Sequence, residues 1–183
     1  MPRPSSSSSS PFDPRSSPAH GLRAPASEWH LEVAEGGWRL QPVSWARFST
    51  SQVALQPGQP VISEGEIANP FDAQVPAIRV DVSPTSPVAR SEPVLTVRGV
   101  ALHVPVEVPV GHSLSIGPGR SAMLLDSNWN PLRTIEIATA PPELPSGVSR
   151  AEFSSLVASA AAAQCEVSFE FRGPAEPAVP TEE

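Results

Sequence analysis

The segment Asp126-Ser127-Asn128-Trp129-Asn130-Pro131 holds the residue types in this chain best suited to recognition chemistry. A tryptophan set between amides and a carboxylate offers a flat apolar ring beside hydrogen-bonding groups, the combination that can stack on a sugar ring and bond its hydroxyls. Covering about 100 Å² of the indole contributes on the order of 2.5 kcal/mol at roughly 25 cal/mol per Å². Millimolar binding requires about 4.1 kcal/mol. Stacking alone falls short, so Asp126, Asn128 and Asn130 would have to contribute contacts of their own. The competing reading is that the polar residues build a turn and Trp129 folds back onto the rim of the fold.

Other chemistry finds little support. No Ser or Cys sits in the tight turn that exposes a nucleophile beside a base. The four histidines, His20, His30, His103 and His112, match no metal-ligand spacing, and the single Cys165 cannot complete a zinc set. His103 reads as a solvent-face residue and Cys165 as a small buried hydrophobe. Glu64 and Glu66 are a carboxylate pair of the kind used in glycoside hydrolysis, but their Gly-containing acidic stretch reads as a solvated turn. No glycine-rich phosphate loop precedes a helix. The expectation is no catalytic, metal or cofactor site. A net charge of -7 with scattered arginines argues against nucleic acid as a partner.

The elements that must position the loop are strands. Val100, Leu102, Val104, Val106, Val108 and Val110 alternate with Ala101, His103, Pro105, Glu107 and Pro109, so an extended run presents one aliphatic face. Burying those six side chains yields about 9 to 18 kcal/mol gross, while ordering the run costs roughly 11 to 22. It needs an opposing sheet. The 24 prolines disfavour helix. Alternating segments recur at Trp29 to Val33, Ile78 to Val82, Leu95 to Val97 and Val167 to Phe171, punctuated by Gly36-Gly37, Arg98-Gly99 and Gly117-Pro118-Gly119. That pattern predicts eight to ten strands in an all-β, two-layer antiparallel β-sandwich. Trp29, Trp38 and Trp45 are expected in its core or at the core edge. One short Ala-rich helix is expected over Ser154 to Gln164, which holds five alanines and no proline or glycine.

Residues 1–27, with a six-serine run, read as a disordered Ser/Pro-rich tail or linker, and residues 173–183 as a disordered Pro/Glu-rich tail. The folded domain is expected to span 28–172. The N-terminus lacks the apolar stretch of a secretory signal, and no run is long enough to cross a bilayer. The chain is therefore expected to be soluble, with no compartment indicated.

From Val75 to Arg172, about half the chain, the order of elements resembles the non-catalytic β-sandwich near the C-terminus of large bacterial glycoside hydrolases. The likeness is carried by Leu95-Thr-Val-Arg-Gly-Val100, Val108-Pro-Val-Gly-His-Ser-Leu114, Ala122-Met-Leu-Leu-Asp-Ser-Asn-Trp-Asn-Pro-Leu132 and the turn Leu144-Pro-Ser-Gly147. These are turn motifs that jelly rolls and galactose-binding-like sandwiches share. The resemblance implies a jelly-roll-like, non-catalytic module that binds carbohydrate or supports a larger carbohydrate-active polypeptide, with Trp129, Asn128, Asn130 and Asp126 as contacts. Two departures stand out: a Ser/Pro-rich stretch rather than a catalytic barrel precedes the sandwich, and an Ala-rich helix is expected before the last strand. Phage tail baseplate proteins carry a similar terminal sandwich, so the alternative is a structural or assembly protein that self-associates and has no small-molecule ligand.

Overall fold

The computed structural model describes residues 28–34, 37–53, 58–157 and 162–177. Thirteen strands follow in order: β1 Glu28–Ala34, β2 Gly37–Val53, β3 Pro60–Asn69, β4 Ala77–Val82, β5 Arg90–Val97, β6 Val100–His103, β7 Glu107–Val108, β8 Ser113–Ile116, β9 Ser121–Leu125, β10 Pro131–Glu136, β11 Gly147–Leu156, β12 Ala162–Arg172 and β13 Glu176–Pro177. They form two packed sheets with every pairing antiparallel. Sheet A runs β1-β2-β12-β4-β8-β9-β10 with β13 also on β2, and sheet B runs β3-β11-β5-β6 with β7 on β5. Among the described residues there is no helix, hence none long and apolar enough to cross a membrane.

The core lies where the alternating faces meet. Sheet A contributes Ala46, Ile78, Val80, Leu114, Ile116, Val167, Phe169 and Phe171; sheet B contributes Ile67, Leu95, Val97, Leu102, Ala151 and Phe153. Phe48 stacks on Phe169 within sheet A, centroids 6.4 Å apart. Opposite it on β3 is Gly65, where any side chain would run into the Phe48 ring, so glycine sets the close approach of the two sheets there.

The valine-rich run keeps its alternation as far as Val108, with Val110 exposed, but not its continuity. Leu102, Val104, Val106 and Val108 are all buried. The ladder to β5 nevertheless breaks between β6 and β7, because Pro105 has no amide to donate. The β6–β7 side carries an extra residue there, Val104 to Val106 facing Glu92 and Pro93: Val106 N–H donates to Val104 O at 2.8 Å around Pro105, Glu92 takes φ +47 and its N–H donates to Val106 O at 2.9 Å, and Val104 N–H donates to Pro93 O at 3.0 Å. This is a bulge that re-aims the chain without exposing the apolar face. The Arg98-Gly99 turn joins β5 to β6 as a two-residue hairpin with both residues at positive φ, +51 and +77.

The Ala-rich helix expected over Ser154 to Gln164 is corrected. Ser154 to Leu156 complete β11, with Ser155 and then Val157 buried, and Ala162 to Gln164 open β12, paired with Val53 to Ser51. Residues 158–161 lie outside the described residues. Helix propensity favours alanine by only about 0.7 kcal/mol over ordinary residues, too little to outweigh strand pairing on both flanks. The C-terminal boundary also moves. Gly173 N–H donates to Pro42 O at 2.8 Å and β13 pairs with Leu40 and Arg39, so the fold extends to Pro177 rather than ending at Arg172. The expected tails at 1–27 and 178–183 fall outside the described residues.

Cys165 is buried on β12, and burial pushes its thiol pKa up to about 12, a rise the Arg90 guanidinium partly offsets. At pH 8 the native thiol is expected to react with a disulfide reagent at least ~100-fold more slowly than the same chain in denaturant, since thiolate is the attacking species. Equal rates in the two states would show that this part of the interior is open to solvent.

Candidate functional site

The loop between β9 and β10 is built by one carboxylate. Asp126 Oδ1 accepts the N–H groups of Asn128 at 2.8 Å and Asn130 at 2.9 Å, and Oδ2 accepts the Asn130 side-chain amide at 3.0 Å. Two backbone bonds close the turn: Trp129 N–H to Asp126 O and Asp126 N–H to Asn130 O, both 3.0 Å. Trp129 then occupies the left-handed region at φ +66, a position that hairpin loops of this shape usually give to glycine or asparagine. A bulky residue there costs on the order of 1–3 kcal/mol. Trp129 is 54% exposed.

The ring does not hang free. The Arg79 guanidinium of β4 lies 4.7 Å from the Trp129 ring centroid and 5.5 Å from that of Trp45 on β2, while Arg47 lies 5.4 Å from Trp45. Arg47, Trp45, Arg79 and Trp129 thus alternate cation and ring along the outer face of sheet A, each exposed contact contributing about 0.5–1 kcal/mol. Ser168 of β12, register partner of both Arg47 and Arg79, is fully buried beneath the stack. Arg79 is fixed from the other side, since its Nε donates to Asp81 Oδ2 at 2.7 Å and Ser113 Oγ donates to Asp81 Oδ1 at 2.5 Å. Beside the stack, Asp81 helps to line an open groove of about 510 Å³ with Ser49, Thr50, Ser83, Gln164, Cys165 and Glu166. The Ser49 and Ser83 hydroxyls, the Gln164 amide and the Asp81 and Glu166 carboxylates offer donors and acceptors there, while the Thr50 hydroxyl is buried against Arg90.

The four residues singled out from the sequence are therefore together, but they divide in role. Asp126 and Asn130 spend their side chains on the turn. Trp129 and Asn128 are exposed at the tip. The polar residues build the turn and the indole folds back onto sheet A, as the turn reading expected, while Trp129 stays about half exposed. Trp45 corrects the core expectation, because it sits half-buried on the outer face. Trp29 and Trp38 correct it further, at 56% and 55% exposed. The sequence did show Arg79 at outward parity, between Ile78 and Val80, but not Trp45 and Arg47 on the same face. It did not show that β12 places them side by side.

Glu64 and Glu66 are not in a turn. Both lie on the outer face of β3, where Glu64 pairs with Arg150 and raises the Arg150 pKa. His103 is on an exposed strand face, its Nε2 3.9 Å from Glu92. Among the described residues no group of three or more His, Cys, Asp or Glu side chains is placed to hold a metal ion. Compared with protein-family models, curated proteins and solved structures, the chain matches none.

The Asn130 side-chain amide, then the N–H groups of Asn130 and Asn128, hold the Asp126 carboxyl below its ordinary value. A depressed carboxyl stabilises the folded loop above its unfolded pKa, and that contribution is lost as pH falls through the lower folded value. The Trp129 indole N–H resonance is therefore expected to move with a midpoint below about pH 3.9, the ordinary aspartate value. A midpoint at or above that pH would contradict the carboxylate's role in the turn.

Proposed function

We propose that this chain is a non-catalytic β-sandwich module that binds carbohydrate, as a free-standing binder or as an accessory to a carbohydrate-active enzyme. Trp129 supplies the stacking surface and Asn128 a hydrogen-bonding contact, while Asp126 and Asn130 hold the loop. Arg79 takes one side of the indole, leaving the other for a single sugar ring, and the groove at Asp81 lies next along the same face. We read the sandwich as jelly-roll-like, since the chain crosses between sheets at β2 to β3, β3 to β4, β4 to β5, β7 to β8, β10 to β11 and β11 to β12.

The observation that supports this reading best is a large aromatic residue kept in a left-handed conformation and about half exposed. Stability does not call for it. Glycine would relieve the backbone, and the stack on Arg79 returns only about 0.5–1 kcal/mol. Strain held at a surface loop is a mark of binding sites.

Glycan-array binding of the intact chain tests the reading, with Trp129→Ala and Trp129→Gly as comparisons. Loss of about 2.5 kcal/mol of stacking is a roughly 70-fold weakening, enough to take a millimolar site below detection. Trp129→Gly is expected to lose binding while melting at or above the wild-type temperature. Equal, negligible signals from all three proteins would remove the proposal.

A further inference from the structure

The β1–β2 hairpin carries a second surface, at a different place from the Trp129 loop. Its register sets Trp29 opposite Pro42 and Leu31 opposite Leu40, with Trp38 at the turn end. Directly opposed residues share a face, and in β2 the same face continues into Ala46 and Phe48, which the core covers. The hairpin therefore prolongs the inner face of sheet A past the edge of sheet B. Glu28, His30, Arg39 and Gln41 stand at the opposite parity, facing out. The pattern is that of a ribbon buried on one side, yet Trp29, Leu31 and Trp38 are 56%, 57% and 55% exposed, and no described element covers them.

We infer that this face is covered by the same face of a second copy of the chain. Among the described residues the one charged group at this parity is Glu176 of β13, register partner of Leu40 at the margin of the face; the rings and aliphatic groups that make up the rest suit an equally apolar surface. Among the described residues the surface of that kind and shape is the ribbon itself. A two-fold axis lying between two stacked ribbons and across their strands brings Trp29 of each copy to the end that holds Trp38 of the other, with the Leu31 and Leu40 pairs at the centre. Such an isologous contact is self-complementary and closes at two subunits. Two β layers at the usual spacing of about 10 Å interdigitate side chains of this size.

The area supports a reversible dimer. Half-exposed rings of this size and one leucine leave roughly 300–400 Å² of apolar surface per copy, so the three side chains bury about 600–800 Å² across a pair. Leu40, Pro42 and the adjoining backbone bring the total toward about 1,000–1,200 Å², the low end for specific association. The expected affinity is micromolar. This surface is independent of the carbohydrate proposal, and either can fail without the other.

Sedimentation velocity of the full chain over roughly 1–500 µM tests it. The wild type is expected to pass from a 19.3 kDa species to one of twice that mass. Leu31→Glu, which places a charge at an exposed centre and leaves the core untouched, is expected to stay monomeric throughout with an unchanged far-ultraviolet spectrum, as is Trp38→Ser. Trp129→Ala is expected to dimerise like the wild type. A wild type that remains monomeric at every concentration overturns the inference, as does a dimer that survives both hairpin substitutions. A monomer whose indole emission shifts to the blue on neutral phosphatidylcholine vesicles overturns it in favour of a lipid surface.

Discussion

Arg90→Ala is expected to lower the unfolding free energy by about 3–5 kcal/mol. Arg90 begins β5 and is fully buried. Its Nη1 donates to Ser155 Oγ at 2.9 Å, within sheet B, and its Nη2 to Thr50 Oγ1 at 2.6 Å, across in sheet A. The guanidinium therefore ties the two layers together at the end of the sandwich where Val157 and Cys165 are also buried. Burial pushes its pKa below the ordinary arginine value, partly offset by Cys165. Alanine would leave both a cavity and two buried hydroxyls without this partner, each such hydroxyl costing about 1–3 kcal/mol. Arg90→Met fills the volume but not the bonds, so its cost should be intermediate. The triple variant Arg90→Met, Thr50→Val, Ser155→Ala should recover most of the loss, since a buried ion and its partners can often be replaced by apolar groups of similar shape. Urea unfolding with linear extrapolation reads all three. A loss below about 1 kcal/mol for Arg90→Ala would show that the inter-sheet tie is not made.

Phe169→Ala is expected to cost a similar amount, about 3–5 kcal/mol. Phe169 lies in the middle of β12, the strand with β2 on one side and β4 on the other, and its register partners are Ala46 and Ile78. It is fully buried and stacked on Phe48. Because β2, β12 and β4 carry the Arg47, Trp45 and Arg79 stack on their other face, a cavity beneath Phe169 also disturbs the platform above it. Small domains have net stabilities of about 5–15 kcal/mol, so the variant should show a much lower urea midpoint with an unchanged slope. Phe169→Leu, which removes less volume, should lose about 1–1.5 kcal/mol. An alanine variant as stable as the wild type would contradict a two-sheet core centred on this strand.

Alternation was readable from sequence because a strand face repeats every two residues. It placed Leu102, Val104, Val106 and Val108 inward and His103 outward, and the Arg98-Gly99 hairpin followed from local turn chemistry. What alternation omits is which backbone groups find partners. The single long strand divided at Pro105 because hydrogen bonding, not side-chain parity, sets the ends of a ladder. Ala162 and Ala163 were misread for a related reason: their helix preference is local, while β12 is held by strands distant in sequence. The exposed Trp29 and Trp38 follow a strand pattern correctly, but parity cannot tell whether an opposing sheet reaches that far. In the loop, Asp126 and Asn130 were legible as polar groups near Trp129, and their use inside the turn was not, since the same residue types serve a turn or a ligand equally well. Arg79, fifty residues before Trp129, became its neighbour only through the order β4-β8-β9 in sheet A.

The most direct measurement is a titration of the intact chain with the oligosaccharides of a glycan panel, following the four tryptophan indole N–H resonances at neutral pH. The expected result is a saturable shift of the Trp129 signal with a smaller one at Trp45, while the Trp29 and Trp38 signals stay in place, and loss of the response in Trp129→Gly. A Trp129 resonance that stays fixed against every glycan, or moves no more than those of Trp29 and Trp38, would contradict a sugar-stacking role for the β9–β10 loop.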